Sequence, residues 1–159
     1  MTQRAHDERL LLRAIELAQL AREHGNHPFG SLLATTDGEI LLEAENTVVT
    51  GSDITGHAEL NLVREAGMQL DDATLQGATL YTSTEPCAMC AGAIYWSGIG
   101  RVVYALGADE LPDLVGDLTG GSILSLSCRE VFGRGGRGVA VRGPHLTAQA
   151  TAVHAGFWA

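Results

Sequence analysis

Lysine is absent from this chain of 159 residues; its ten cationic side chains are all Arg. That absence excludes a lysine Schiff base and a Walker-type phosphate loop. Positive charge is scarce altogether. Nineteen acidic residues leave a net charge of −9, and no run of basic residues marks a local patch, so a long polyanion is a poor partner for the surface as a whole. Long apolar runs are missing too: none approaches the ~20 residues that a membrane helix needs. Residues 1–8 mix both charges around no apolar segment, so no secretory leader and a cytoplasmic, non-membrane protein are expected. Cysteine is reduced to three residues, Cys87, Cys90 and Cys128. An odd number without a leader argues against a disulfide framework, and in a reducing compartment a C-x-x-C pair is more often a metal or redox site.

What is present reads as a globular protein. Apolar residues make up 45% and charged residues 18%, and the length suits a single domain, residues 1–159, with a core of its own. Leu10, Ala14, Leu17 and Ala21, alongside Leu11, Ile15 and Ala18, recur at helical spacing over residues 6–24, with Gly25 placed as a C-cap. Residues 31–35 and 39–45 read as strands joined by the hairpin signal Asp37-Gly38. A loop over 47–56 precedes a helix from His57 to Ala66, with Thr55 as its N-cap and Gly67 as its end. Residues 71–77 read as a loop and 78–83 as a third strand. Pro86 fits a first helical position before a helix over 87–96 that stops at Ser97-Gly98, and 101–105 is a fourth strand. That strand–helix–strand unit predicts parallel pairing through a right-handed crossover. Residues 107–122 are acidic and loop-like, with a short helix near Leu114; 122–132 is ambiguous; 139–142 suggests a fifth strand and 146–158 a final helix. The sum is an α/β protein, a mixed sheet with helices on both faces.

Two short stretches carry chemistry: His57-Ala58-Glu59 and Pro86-Cys87-Ala88-Met89-Cys90. Imidazole and thiolate are the ligands zinc prefers, and a catalytic zinc keeps one of its four positions open. Cys87 and Cys90, at i and i+3 in a helix's first turn, point toward one ion where the positive end of the helix favours thiolates. His57 also begins a helix. Glu59, two residues on, reaches past the ion without ligating it and can take the proton of an activated water. A C-x-x-C pair alone could equally be a redox pair or part of the core. A redox pair leaves the histidine stretch unexplained, and a structural zinc would need a fourth ligand that neither Cys128 nor any other His offers at a recognisable spacing. Together the two stretches match the H-x-E…P-C-x-x-C signature of zinc deaminases, with Glu as general acid/base.

At these residues the chain resembles the cytidine deaminase superfamily, in particular its nucleobase-deaminating branch of guanine deaminases, cytosine deaminases and tRNA adenosine deaminases. The resemblance spans about residues 10–106 and takes in Pro28-Phe29-Gly30, Asn46, residues 57–59, Leu80-Tyr81-Thr82-Ser83, residues 85–90 and residues 91–96. The segments before and after the cysteines are most similar to bacterial-type guanine deaminases. The resemblance implies a three-layer α/β/α sandwich with a five-stranded mixed sheet, a Zn2+ cofactor, and a homodimer with active sites near subunit interfaces. It implies hydrolytic deamination of a free nucleobase or similar heterocycle, with guanine or a guanine-like purine as the expected base. Glu59 would shuttle the proton, and His57, Cys87 and Cys90 would hold the metal. The Cys87 backbone N–H would partner the activated oxygen. Asn46 would bond the base's polar edge, Ala58 would contact it, and Phe29 and Trp96 would wall it. Asp109, Glu110 and Asp113 are the candidates for the acidic residue that guanine deaminases carry after the fourth strand; at the C-terminus, where those enzymes are aromatic, the chain ends Phe157-Trp158-Ala159 without their Tyr. Gly56 stands where the family usually has Ala.

A tRNA adenosine deaminase is the runner-up, but it needs cationic surface near the pocket, and no Arg follows His145. A non-catalytic zinc module would have no use for Glu59. Plainer readings stand beside the rest. Asn46 could simply end its strand, Phe29 and Trp96 could be core aromatics, His27 a loop residue and Cys128 a buried small hydrophobe. His145 and His154 read as surface or helix residues. Residues 133–138 contain G-x-G-x-x-G, but a strand follows instead of a helix, so a solvated loop is expected and not a dinucleotide site.

Overall fold

The computed structural model describes residues 1–116 and 123–159. The first periodic segment is helix α1, Gln3–Glu23, which buries Leu10, Leu11, Ala14, Ile15, Leu17, Ala18 and Ala21 along one face. Thr2 caps its start by accepting from the Ala5 N–H, and Gly25, at φ +91°, turns the chain out of its end. Strands β1 (Gly30–Ala34) and β2 (Ile40–Glu45) form the expected hairpin. Then come α2 (Ala58–Gln69), α3 (Asp72–Gly77), β3 (Thr79–Thr84), α4 (Ala88–Ser97) and β4 (Arg101–Leu106). Helices α5 (Leu111–Val115) and α6 (Cys128–Gly133), strand β5 (Ala140–Arg142) and helix α7 (Thr147–Ala152) complete the described elements.

The five strands lie in the order β2-β1-β3-β4-β5. The first two pairings are antiparallel, β1 with β2 and β1 with β3; β3 with β4 and β4 with β5 are parallel. Helices α1 and α7 pack on one face with Leu32, Tyr81 and Val103. Helices α2, α4 and α6 pack on the other with Leu33, Leu80 and Val102. The result is the anticipated three-layer α/β/α sandwich with a five-stranded mixed sheet. Every residue of β3 is buried, as a strand covered on both faces must be. The inner edge is tight at Gly30, where a Cβ would lie 2.5 Å from Leu17 Cβ. Only glycine lets α1 approach β1 this closely.

Several local expectations are corrected. Helix α2 runs through Gly67 to Gln69, because buried Leu62 and Ala66 hold it to the core while Gly67 faces solvent; the packing outweighs the roughly 1 kcal/mol that glycine costs a helix. Thr55 does not cap α2. Its hydroxyl is bonded to Asp53, and His57 occupies the N-cap position. Residues 72–77 are a helix, started by Asp71 accepting from the Thr74 N–H. Pro86 precedes the N-cap of α4, which is Cys87. A Ser127–Glu130 capping box resolves the ambiguous segment into α6. The final helix stops at Ala152, and the chain then turns back, with Gly156 at φ +69°. The glycine-rich loop is tied down. Arg137 donates to the carbonyls of Ile94, Tyr95 and Ile99 and so closes the end of α4. The acidic stretch 107–122 does contain a short helix, α5; its residues 117–122 lie outside the described residues, as does Ser122 of the ambiguous segment. No described helix is long and apolar enough to cross a membrane.

Candidate metal and substrate site

The parallel crossover β3–α4–β4 places the start of α4 beyond the carboxyl end of β3, where α/β proteins bind ligands. The start of α2 meets it there. Cys87 is the N-cap of α4, Cys90 lies in its first turn, and His57 is the N-cap of α2. Neither Cys87 nor His57 spends its side chain on capping its own helix. His57 Nδ1 lies 3.5 Å from Cys87 Sγ and 3.5 Å from Cys90 Sγ. All three ligand atoms lie within 4.8 Å of one another.

These distances fit one ion. Nitrogen and sulfur donors bound tetrahedrally to zinc, at about 2.1 and 2.3 Å, would sit roughly 3.6 Å apart. Among the described residues no fourth metal-binding side chain joins the group, so a bound zinc keeps one position for a small ligand. The electrostatics agree. Hydrogen bonding from Cys90 first, and from His57 as well, pulls the Cys87 thiol down to about 4 against the effect of burial. Cys90, donating to Cys87 and buried, is pushed upward and keeps its proton while no cation is present. The Cys87 hydrogen bond in turn raises His57. His57, Cys87 and Cys90 would hold a divalent ion, with both sulfurs bound as thiolates.

Glu59 stands beside this trio and outside it. It is 5% exposed, and burial raises its carboxyl above the ordinary range. Its Oε1 accepts from Thr82 Oγ1 at 2.8 Å. A small pocket of about 100 Å³, partly open to solvent, adjoins it. His57, Glu59 and Cys87 form its floor, and His27, Phe29, Asn46, Thr84, Glu85 and Leu111 its walls. Asn46 Oδ1 accepts from the Val48 N–H at 3.0 Å, which leaves its amide NH2 for a ligand. The tail packs behind that wall. Trp158 stands 5.3 Å from His27 and 6.3 Å from Phe29, between ring centroids. Arg22 anchors this tail by donating to the carbonyls of Val153 and Ala155.

The structure brings together His57, Glu59, Cys87, Cys90, Asn46 and Phe29. Ala58, fully buried, is the first residue of α2 and lies between the ligand and the carboxylate in sequence. Trp96 is neither core nor pocket wall. It sits at the far end of α4, 85% exposed. A ten-residue helix separates it from the cysteines' end, so one chain cannot deliver both to the same place. Asp109 and Glu110 line a groove on the other side of Glu85, Cys87 and Leu111, and Asp113 is exposed. His154, expected on the surface or in a helix, lies beyond the end of α7, is 3% exposed and accepts from Trp158 Nε1 at 3.0 Å. Thr84, Glu85 and Leu111 escaped sequence reasoning. The alternation of β3 could have found Thr84, which shares a face with Thr82; nothing local marks Leu111.

A three-ligand metal site beside a buried, non-ligating carboxylate defines the class of zinc-dependent hydrolases. The sequence model of the "cytidine and deoxycytidylate deaminase zinc-binding region" matches residues 4–106, and the chain belongs to that family. It is a zinc-dependent hydrolytic deaminase. A probable cytosine deaminase from Schizosaccharomyces pombe is 38% identical over 148 residues, 93% of this chain and 90% of that protein. The guanine deaminase of Bacillus subtilis is 43% identical over 99 residues, 62% of this chain and 63% of its own length. A tRNA-specific adenosine deaminase from Haemophilus influenzae is 39% identical over 98 residues, 62% of this chain and 57% of its own length. The chain therefore spans less than two thirds of these last two relatives. Among solved structures, the guanine deaminase from Nitrosomonas europaea superposes with a TM-score of 0.75 at 25% identity, covering 91% of this chain and 80% of that one.

Proposed function

We propose that residues 1–159 form one deaminase domain that acts on a free nucleobase, a guanine-like purine in the first place, and releases ammonia. The observation that carries this reading is the pocket wall. Among the described residues it holds aromatic, amide, hydroxyl and carboxylate groups and no Arg, in a chain that has no Lys at all. No Arg or Lys stands among those described residues to pair with a phosphate, so the site suits a neutral ring better than a nucleotide or an RNA backbone. The likeness to a guanine deaminase along nine tenths of the chain supports a purine. The near full-length relative described as a probable cytosine deaminase supports cytosine as the second reading.

His57, Cys87 and Cys90 would hold the zinc, which when bound supplies an activated water at neutral pH. Glu59 takes a proton from that water as its oxygen bonds to the amino-bearing ring carbon, and gives a proton to the ring nitrogen. A second transfer through Glu59 goes to the departing amine as the carbon–nitrogen bond breaks, so the ring exchanges NH2 for oxygen and ammonia leaves. The Cys87 backbone N–H stabilises developing negative charge. Asn46 bonds the base edge, with Phe29 and His27 against its face. Asp109, Glu110 and Asp113 remain the acidic candidates for the substrate's other half. Met89 and Trp96, exposed on the outer face of α4, are what a second copy would cover in a homodimer.

Ammonia release across guanine, cytosine, adenine and their nucleosides tests the substrate. Guanine should be turned over fastest and nucleoside monophosphates not at all. Turnover confined to cytosine would replace the purine, and preference for a monophosphate or for tRNA would overturn the free-base reading.

A further inference from the structure

We propose that Thr82 is a positioning residue: its hydroxyl anchors Oε1 of Glu59 and so assigns Oε2 to proton transfer, with Ser31 fixing the direction of that hydrogen bond. The inference rests on the reading of Glu59 as the proton carrier. Ser31 and Thr82 are both fully buried. They are directly paired across β1 and β3, a cross-strand pair that shares one face of the sheet. On β3 that is the face of Leu80, which packs toward α2 and α4, while Tyr81 points the opposite way. Thr82 therefore projects at the helix that carries Glu59.

The hydrogen bonds have a polarity. Ser31 Oγ donates to Thr82 Oγ1 at 2.9 Å. Thr82, having accepted that proton, directs its own outward. Three acceptors surround it: Glu59 Oε1 at 2.8 Å, the Thr84 carbonyl at 3.1 Å and the Gly30 carbonyl at 3.5 Å. The carboxylate is the nearest, and a charged acceptor makes the stronger bond. With Oε1 so occupied, a proton arriving at Glu59 goes to Oε2, and the carboxyl group cannot rotate without abandoning a buried donor. A general base needs a fixed, correctly aimed oxygen, and a hydroxyl on a fully covered strand supplies that fixation.

Thr82→Val keeps the shape and removes the donor. It should lower kcat about ten- to a hundredfold, the loss of a hydrogen bond to a charged group, with KM within about twofold and zinc still at one per chain. Thr82→Ser should restore most of the turnover. A crystal structure of Thr82→Val should show the Glu59 carboxyl group rotated from its wild-type orientation. Should the single change strand Ser31 and weaken the fold, Ser31→Ala/Thr82→Val removes both polar groups together and should recover stability while kcat stays low. A Thr82→Val enzyme within threefold of wild type in kcat, or a Thr82→Ser enzyme as slow as Thr82→Val, overturns the proposal. If Glu59→Gln is inactive while Thr82→Val is unaffected, the positioning role alone fails; if Glu59→Gln retains turnover, the proton-carrier reading fails with it.

Discussion

His154 shows how a single buried group couples the tail to pH. Burial pushes its imidazole down to about 4 from an ordinary value near 6.5. The folded form thus binds fewer protons than the unfolded one. Its contribution to stability is complete above pH 6.5 and is lost progressively as pH falls from 6.5 toward 4, on the order of 2 kcal/mol. Protonation would also remove the acceptor that holds Trp158. Denaturation at pH 7 and pH 5 should show wild type losing more stability than His154→Asn; equal losses in the two proteins would contradict this. The residue scale is also where legibility was most uneven. His57, Glu59, Cys87 and Cys90 were readable because zinc chemistry demands those side chains at those spacings. Asn46 and Phe29 were readable through resemblance. Thr82, Thr84 and Leu111 were not, because threonine and leucine have many uses and only the fold brings Thr84 and Leu111 to the pocket and Thr82 to Glu59 behind it. His154 was read as a surface or helix residue, and its burial was not legible because the helix expected around it ends at Ala152 and the turn beyond folds it inward.

At the scale of elements, helical and strand periodicities marked every strand and the helices α1, α2 and α4 to within a few residues. The misses have a common cause, in that local chemistry was outweighed by packing or was too short to be periodic. Gly67 did not stop α2, and the six-residue α3 and α6 rest on caps, not on amphipathic faces. Asp7 illustrates what ties elements together. Fully buried in α1, it accepts from Tyr81 of β3 at 2.7 Å, from both terminal nitrogens of Arg101 of β4, and from Arg142 of β5. These hydrogen bonds hold its carboxyl well below the ordinary carboxylate range despite burial. Asp7→Asn should cost about 3 kcal/mol in urea unfolding, the low end for a broken buried pair because both Arg remain partly solvated. A loss under about 0.5 kcal/mol would mean that these three strands do not depend on the α1 carboxylate.

For the whole molecule, the fold, the family and the metal chemistry agree, while the substrate rests on what walls the pocket. The charge of −9 sets the surface against polyanions; the wall without Arg does the same at close range. Leu111 of that wall, and the tail packed behind His27 and Phe29, lie beyond residue 106, where the family match ends, which is why residues 57–90 announced the reaction more plainly than the base. Metal content and ammonia release, measured on the same preparations of wild type and Glu59→Gln, test the central claim most directly. Both proteins should carry about one zinc per chain, as a three-ligand site expects, and only the wild type should release ammonia from a free base. A metal-free enzyme that still turns over, or a Glu59→Gln protein as active as wild type, would contradict the account.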